Sequence, residues 1–147
     1  MASRTTVVLD EPTNKEINAT TIDNVHDQIV AVDDDPVALR ILSRHLQGAG
    51  YQTIAIDNGE TALEVVSNET AVVLLDLHMP GLSGLDCLRF LQKRNPDVRV
   101  VILTGSSDVQ DAVDAMHGGA FEYVTKPYDP AELLVHVKNS VRLEKCS

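Results

Sequence analysis

Tryptophan is absent from this 147-residue chain, which holds only three tyrosines and two phenylalanines. A core without large aromatics must be built from Val, Leu, Ile and Ala. Cysteine is nearly as scarce. Cys87 lies inside a helical pattern and Cys146 near the end, a spacing that offers neither a disulfide framework nor a metal-binding cluster. A reducing, cytoplasmic setting is the expectation that goes with it. Basic residues are outnumbered, 12 Lys and Arg against 22 Asp and Glu, for a formal net charge of -10. That balance argues against a direct grip on nucleic acid or an anionic membrane. No apolar run approaches the length of a transmembrane helix, and the N-terminus lacks the apolar core of a signal peptide.

What is present is ordinary in amount, 44% hydrophobic and 23% charged, and ordered in its pattern. Residues 1–27 are rich in Thr, Asn and Asp and read as a flexible leader. From Gln28 onward short apolar runs alternate with helical periodicity. The strand patterns fall at 29–32, 51–56, 71–75, 98–103 and 120–125. Asp35 before Pro36 caps a first helix with Leu39, Leu42 and Leu46 on one face. Asn58 caps a second, carrying Leu63, Val65 and Val66; Ser83 and Gly84 open a third with Leu85, Leu88 and Leu91. Ser107-x-x-Gln110 reads as a capping box for a fourth, rich in acids and without Lys or Arg. Asp129-Pro130-x-Glu132 starts a fifth, with Leu133, Val137 and Val141 along one side. Five strands alternating with five helices predict a parallel sheet covered on both faces, a doubly wound α/β fold. Periodicity leaves the strand order open.

The polar residues that end these strands make a set. Asp33 and Asp34 follow the first strand, Asp76 the third, Thr104 the fourth and Lys126 the fifth. In an open α/β sheet the carboxyl edge is where sites are built. Carboxylates brought together resist ionisation unless a cation compensates them, and Mg²⁺ or Mn²⁺ prefers such oxygen ligands. A carboxylate beside the metal can attack phosphorus, while an ammonium and a hydroxyl hold the phosphoryl oxygens. Asp35, placed before Pro36, is read as a helix cap, Cys87 as a packing residue, and His26, His45, His117 and His136 as surface residues.

Taken together, Val32-Asp33-Asp34, Leu75-Asp76-x-x-Met79-Pro80-x-x-x-Gly84, Leu103-Thr104-Gly105, Gly119-Ala120 and Tyr123-Val124-Thr125-Lys126-Pro127 resemble the receiver domain of two-component response regulators, over 28–144. The resemblance implies the flavodoxin-like strand order 2-1-3-4-5 and a cis Lys126-Pro127 bond. It implies Asp76 as the phosphorylated residue, Asp33 and Asp34 as metal-binding acids, and the main-chain carbonyl of His78 as a further metal ligand. Thr104 and Lys126 resemble the residues that contact the phosphoryl group, and Tyr123 the aromatic switch that reshapes the face of helix 4, strand 5 and helix 5. The implied partners are a sensor histidine kinase or phosphotransfer protein and an output domain or effector. A phosphorylation-dependent dimer is allowed, although helix 4 without Lys or Arg argues against charged dimer contacts of the winged-helix branch.

The implied activity is a switch that promotes its own phosphorylation and dephosphorylation, with no outside substrate turned over. His78 and Ser106, each two residues beyond a site residue, are expected to tune the lifetime of the acyl phosphate. Residues 145–147 read as the start of a linker to an output domain. Two rivals stand beside this reading. A haloacid-dehalogenase-type phosphatase would use Asp33-x-Asp35-x-Val37, Thr104 and Lys126, but wants its further acids after the lysine, where Asp129 and Glu132 fall on a helix cap. A receiver-like module that only binds partners is the other.

Overall fold

The run Thr70–Leu75 is buried at every position, and the sheet is laid out around it. The computed structural model describes residues 27–146, and side chains through Val141; the expected leader, apart from Asp27, and His26 lie outside the described residues. Asp27 itself, read from composition as leader, is 3% exposed.

Five strands, β1 (Gln28–Val32), β2 (Gln52–Ile56), β3 (Thr70–Leu75), β4 (Arg99–Thr104) and β5 (Glu122–Thr125), form one parallel sheet in the order β2-β1-β3-β4-β5. They alternate with α1 (Pro36–Gly48), α2 (Gly59–Val65), α3 (Gly84–Arg94), α4 (Val109–His117) and α5 (Pro130–Cys146). This is the expected flavodoxin-like arrangement. Because side chains alternate along a strand, β1, β3 and β4 feed two separate cores. Val30, Val32, Val73, Leu75, Val100 and Ile102 pack with Ala62 of α2, Leu88 and Leu91 of α3 and Ala115 of α4. Ile29, Ala31, Val72, Leu74, Val101 and Leu103 pack with Leu42 and Leu46 of α1 and Leu133 and Val137 of α5. Each fully buried Val or Leu contributes about 1.5–3 kcal/mol, and with so few aromatics these aliphatic layers carry the fold.

The caps follow the sequence closely, with one shift. Asp35 accepts from the main-chain N of Val37 at 3.0 Å and of Ala38 at 3.4 Å, so its carboxylate is committed to starting α1. Asn58, Ser83 and Asp129 accept from Thr61, Asp86 and Ala131 in the same way. At α4 the cap is Asp108 and not Ser107: its carboxylate takes the Gln110 N–H at 2.9 Å, and its own N–H is held by the Ser106 hydroxyl at 3.2 Å. An ionised acid at a helix start also meets the helix dipole, an advantage that Ser lacks. Helix α2 faces the core through Ala62, with Val66 buried at its end, and Leu63 and Val65 only flank the cluster.

Two histidines expected at the surface have partners. His45 is half-buried, its Nδ1 3.3 Å from the Tyr128 hydroxyl, and His136 pairs with Glu122 at 2.7 Å; His117 is exposed. Cys87 is fully buried, as a packing residue should be. Burial, helped by the charge of Glu60, pushes its thiol up to about 11. Since the thiolate is the nucleophile, Cys87 should stay unalkylated by iodoacetamide in native protein near neutral pH and react once guanidinium unfolds it. Peptide mapping would check this, and prompt native labelling would mean that α3 opens readily.

Candidate functional site

Backbone bonds carry the strand register one step past the strands and so place the site. The Asp33 N–H reaches Ile56 O at 3.1 Å, Asp76 N–H reaches Val32 O at 3.1 Å, and Lys126 N–H reaches Thr104 O at 2.8 Å. The expected residues therefore converge at the carboxyl edge. Asp33, Asp34 and Asp76 each offer an oxygen, all within 4.8 Å of one another. Asp33 and Asp76 are buried, at 3% and 8% exposure, and Asp34 is exposed.

Lys126 is the cation that answers them. Its Nζ donates to Asp33 Oδ2 and stands 3.8 Å from Asp76 Oδ2. Burial alone would lower the pKa of this ammonium, but the hydrogen bond to Asp33 and the charges of Asp33, Asp76 and Asp35 outweigh it and hold the pKa above its ordinary value. Lys126 therefore stays charged. The Lys126-Pro127 peptide is cis, as the resemblance implied.

The remaining site residues stand at the end of β4, on β5 and in the loops after β3 and β4. Thr104 is wholly buried, and its Oγ1 accepts the Ser106 N–H at 3.5 Å. Asp76 Oδ1 accepts the His78 N–H at 3.3 Å. The Tyr123 ring is half-buried against the first core, and its hydroxyl donates to the Ser106 carbonyl at 3.2 Å. Burial raises the Tyr123 pKa, with Asp111, Asp108 and Asp76 adding to it against the hydrogen bond to Ser106.

The side chains of His78 and Ser106 meet on Asp111, which the sequence had not singled out. Asp111 Oδ2 accepts from His78 Nε2 at 2.9 Å and from Ser106 Oγ at 2.7 Å. These bonds, that of Ser106 first, hold the Asp111 carboxyl below its usual range. An acid in the first turn of a helix is common enough that nothing in the pattern marks it. Glu60 was missed for the same reason: it sits in the first turn of α2, yet its carboxylate braces the loop after Asp76 by accepting the Leu82 N–H at 3.1 Å. The arrangement offers a nucleophilic carboxylate, hard-oxygen donors for a divalent cation, and a fixed ammonium and hydroxyl at neighbouring strand ends.

The response regulator receiver domain family matches residues 29–138. The chain is 40% identical over 111 residues to the DNA-binding transcriptional regulator NtrC of Escherichia coli K12, covering 75% of this chain and 24% of NtrC, so it spans about a quarter of that relative's length. A response regulator receiver domain protein from Clostridium thermocellum superposes with a TM-score of 0.78 at 32% identity, covering 82% of this chain and 98% of that one. The response regulator TrrA of Thermotoga maritima, solved in complex with Mg²⁺–BeF, gives a TM-score of 0.70 at 34% identity over 78% of this chain and 98% of its own. The order of the strands, the acids and lysine gathered at their carboxyl edge and the family match over most of the length place the chain in the response regulator receiver domain family.

Proposed function

We propose that the switch is thrown by transfer of a phosphoryl group to Asp76. The observation that carries this is the meeting of three carboxylates within 4.8 Å with the Lys126 ammonium 3.8 Å from Asp76. In the transfer a carboxylate oxygen of Asp76 bonds to phosphorus. The bond from phosphorus to the donor's leaving group breaks, and its electron pair departs with that group. Lys126 and the Thr104 hydroxyl stand ready to hold the phosphoryl oxygens as charge builds on them.

Asp33, Asp34 and Asp76 are the oxygen donors that Mg²⁺ or Mn²⁺ prefers, with the His78 main-chain carbonyl as a further ligand. A bound cation would neutralise the crowded acids and supply a seat for phosphoryl oxygens. That the similar protein TrrA was solved in complex with Mg²⁺–BeF supports a divalent cation here.

A dianion on Asp76 would draw Thr104 toward it and off the Ser106 N–H. Tyr123, bonded to the Ser106 carbonyl, would then repack with the β4–α4 loop. This couples Asp76 to the face of α4, β5 and α5. A sensor histidine kinase or phosphotransfer protein would supply the phosphoryl group, and an output domain or effector would read the face, alone or through a dimer. With a net charge of -10 we give nucleic acid no direct part in the switch. The chain would promote its own loading and unloading without turning over an outside substrate. Asp129 is spent on capping α5 and Glu132 lies in its first turn, which weighs against the phosphatase rival.

Intact mass after incubation with acetyl phosphate and Mg²⁺ tests this. One added phosphoryl group is expected, absent under EDTA and stripped by hydroxylamine. A folded protein that gains none would favour a module that binds partners without being phosphorylated.

A further inference from the structure

Beyond the residues assigned to metal and phosphoryl group, one carboxylate ties together parts of the site that the chain keeps apart. Asp111, in the first turn of α4, takes two hydrogen bonds on a single oxygen, from His78 Nε2 at 2.9 Å and from Ser106 Oγ at 2.7 Å. Each partner also grips a site residue through its main chain. The His78 N–H donates to Asp76 Oδ1 at 3.3 Å, and the Ser106 N–H to Thr104 Oγ1 at 3.5 Å. The bonds close an arch with its feet at the ends of adjacent strands β3 and β4 and its crown on α4. The Tyr123 hydroxyl, on the Ser106 carbonyl at 3.2 Å, joins the arch to β5.

We propose that Asp111 is a positioning residue that sets how long Asp76 keeps its phosphoryl group, by holding the side chains of His78 and Ser106 through bonds that do not include the Ser106 N–H contact to Thr104 released on phosphorylation. The proposal rests on Asp76 being the acceptor. In the hydrolysis that ends the signal, a water oxygen bonds to phosphorus. The bond from phosphorus to Asp76 breaks with its electron pair left on the carboxylate, and the water's proton passes to solvent as inorganic phosphate leaves. A His78 Nε2 that donates to Asp111 is in no position to accept a hydrogen bond from that water. The His78 side chain is 64% exposed, so once released its ring has room to turn and orient the water. Asp111 thus slows the loss of phosphate, and whatever engages α4 and draws Asp111 away would quicken it.

The test loads five proteins with acetyl phosphate and Mg²⁺: the wild type, Asp111→Ala, Asp111→Asn, His78→Ala/Ser106→Ala and the triple variant. The donor is then removed and the remaining adduct is timed by intact mass. Asp111→Ala should lose its phosphoryl group about two- to ten-fold faster than wild type, the scale of a single hydrogen bond. Asp111→Asn, whose amide oxygen still accepts both bonds, should stay near wild type. Adding Asp111→Ala to the His78→Ala/Ser106→Ala background should change nothing. An unchanged lifetime in Asp111→Ala overturns the proposal, as does an equal acceleration in both backgrounds, which would mark a general loosening of α4. Loading is scored before the donor is removed. A wild type that never loads removes the acceptor reading and this proposal together, whereas normal loading with an unchanged lifetime removes the role of Asp111 alone.

Discussion

Asp76→Asn is expected to take up no phosphoryl group from acetyl phosphate while folding as well as the wild type. The substitution keeps the shape of the side chain and leaves an oxygen to accept the His78 N–H, now bonded to Asp76 Oδ1 at 3.3 Å. It removes the anionic nucleophile, so no acyl phosphate can form. It also removes one of three negative charges whose oxygens lie within 4.8 Å of one another, and Lys126 keeps its bond to Asp33. The cation response should fall with it. Mg²⁺ at about a hundred times its Kd stabilises a folded protein by about 2.7 kcal/mol. In a chain of this length, about 1 kcal/mol moves Tm by roughly 2–4 °C. The wild type should therefore melt roughly 5–10 °C higher in Mg²⁺ than in EDTA, and Asp76→Asn should show less than half that rise. Equal labelling of both proteins would move the acceptor elsewhere. An equal Mg²⁺ response would mean that Asp76 is not a ligand of the cation.

The second large effect lies at a residue with no chemistry of its own. A Cβ built on Gly84 would stand 2.3 Å from the Asp76 carbonyl oxygen, 2.4 Å from Leu77 Cα and 2.9 Å from the Leu77 carbonyl oxygen. All three are main-chain atoms, so no rotamer change relieves the contact and the loop after β3 must move. The Gly84 N–H already donates to Leu77 O at 2.9 Å, which draws the start of α3 against that loop. Gly84→Ala should cost about 3 kcal/mol, the upper end of what overpacking usually costs, and lower Tm by roughly 10 °C. It should also blunt phosphoryl uptake, because the displaced carbonyl belongs to Asp76. Gly105→Ala is the control. A Cβ there meets nothing within 4 Å, and the change should stay within about 0.5 kcal/mol. Thermal melts of the two variants side by side decide the matter. Similar melting would show that the close approach at Gly84 is readily relaxed.

Gly84 also shows where legibility stops. It stands in the stretch Leu75-Asp76-x-x-Met79-Pro80-x-x-x-Gly84, so the sequence marks the position, but nothing local says what the missing side chain makes room for. The acids, the hydroxyl and the lysine were legible because each stands within two residues of the end of a strand pattern, where a parallel strand presents its carboxyl edge. The helices were legible through their caps and their Leu and Val spacing, within a residue or two at each end. The shift from Ser107 to Asp108 at α4 is an error of that size, decided when the Ser106 hydroxyl took the Asp108 N–H.

The residues alone thus determined the alternation of elements, the two-sided aliphatic core and the chemistry gathered at one edge of the sheet. These follow from periodicity and composition, which are properties of neighbours along the chain. Tertiary structure decided the rest: His45 against Tyr128, Glu60 bracing the loop after Asp76, and Asp111 holding His78 and Ser106 together. His78 and Asp111 are 33 positions apart, on a loop and on the first turn of a helix. No repeat links two such positions, and a hydrogen bond between them depends on how β3 and β4 bring their loops side by side.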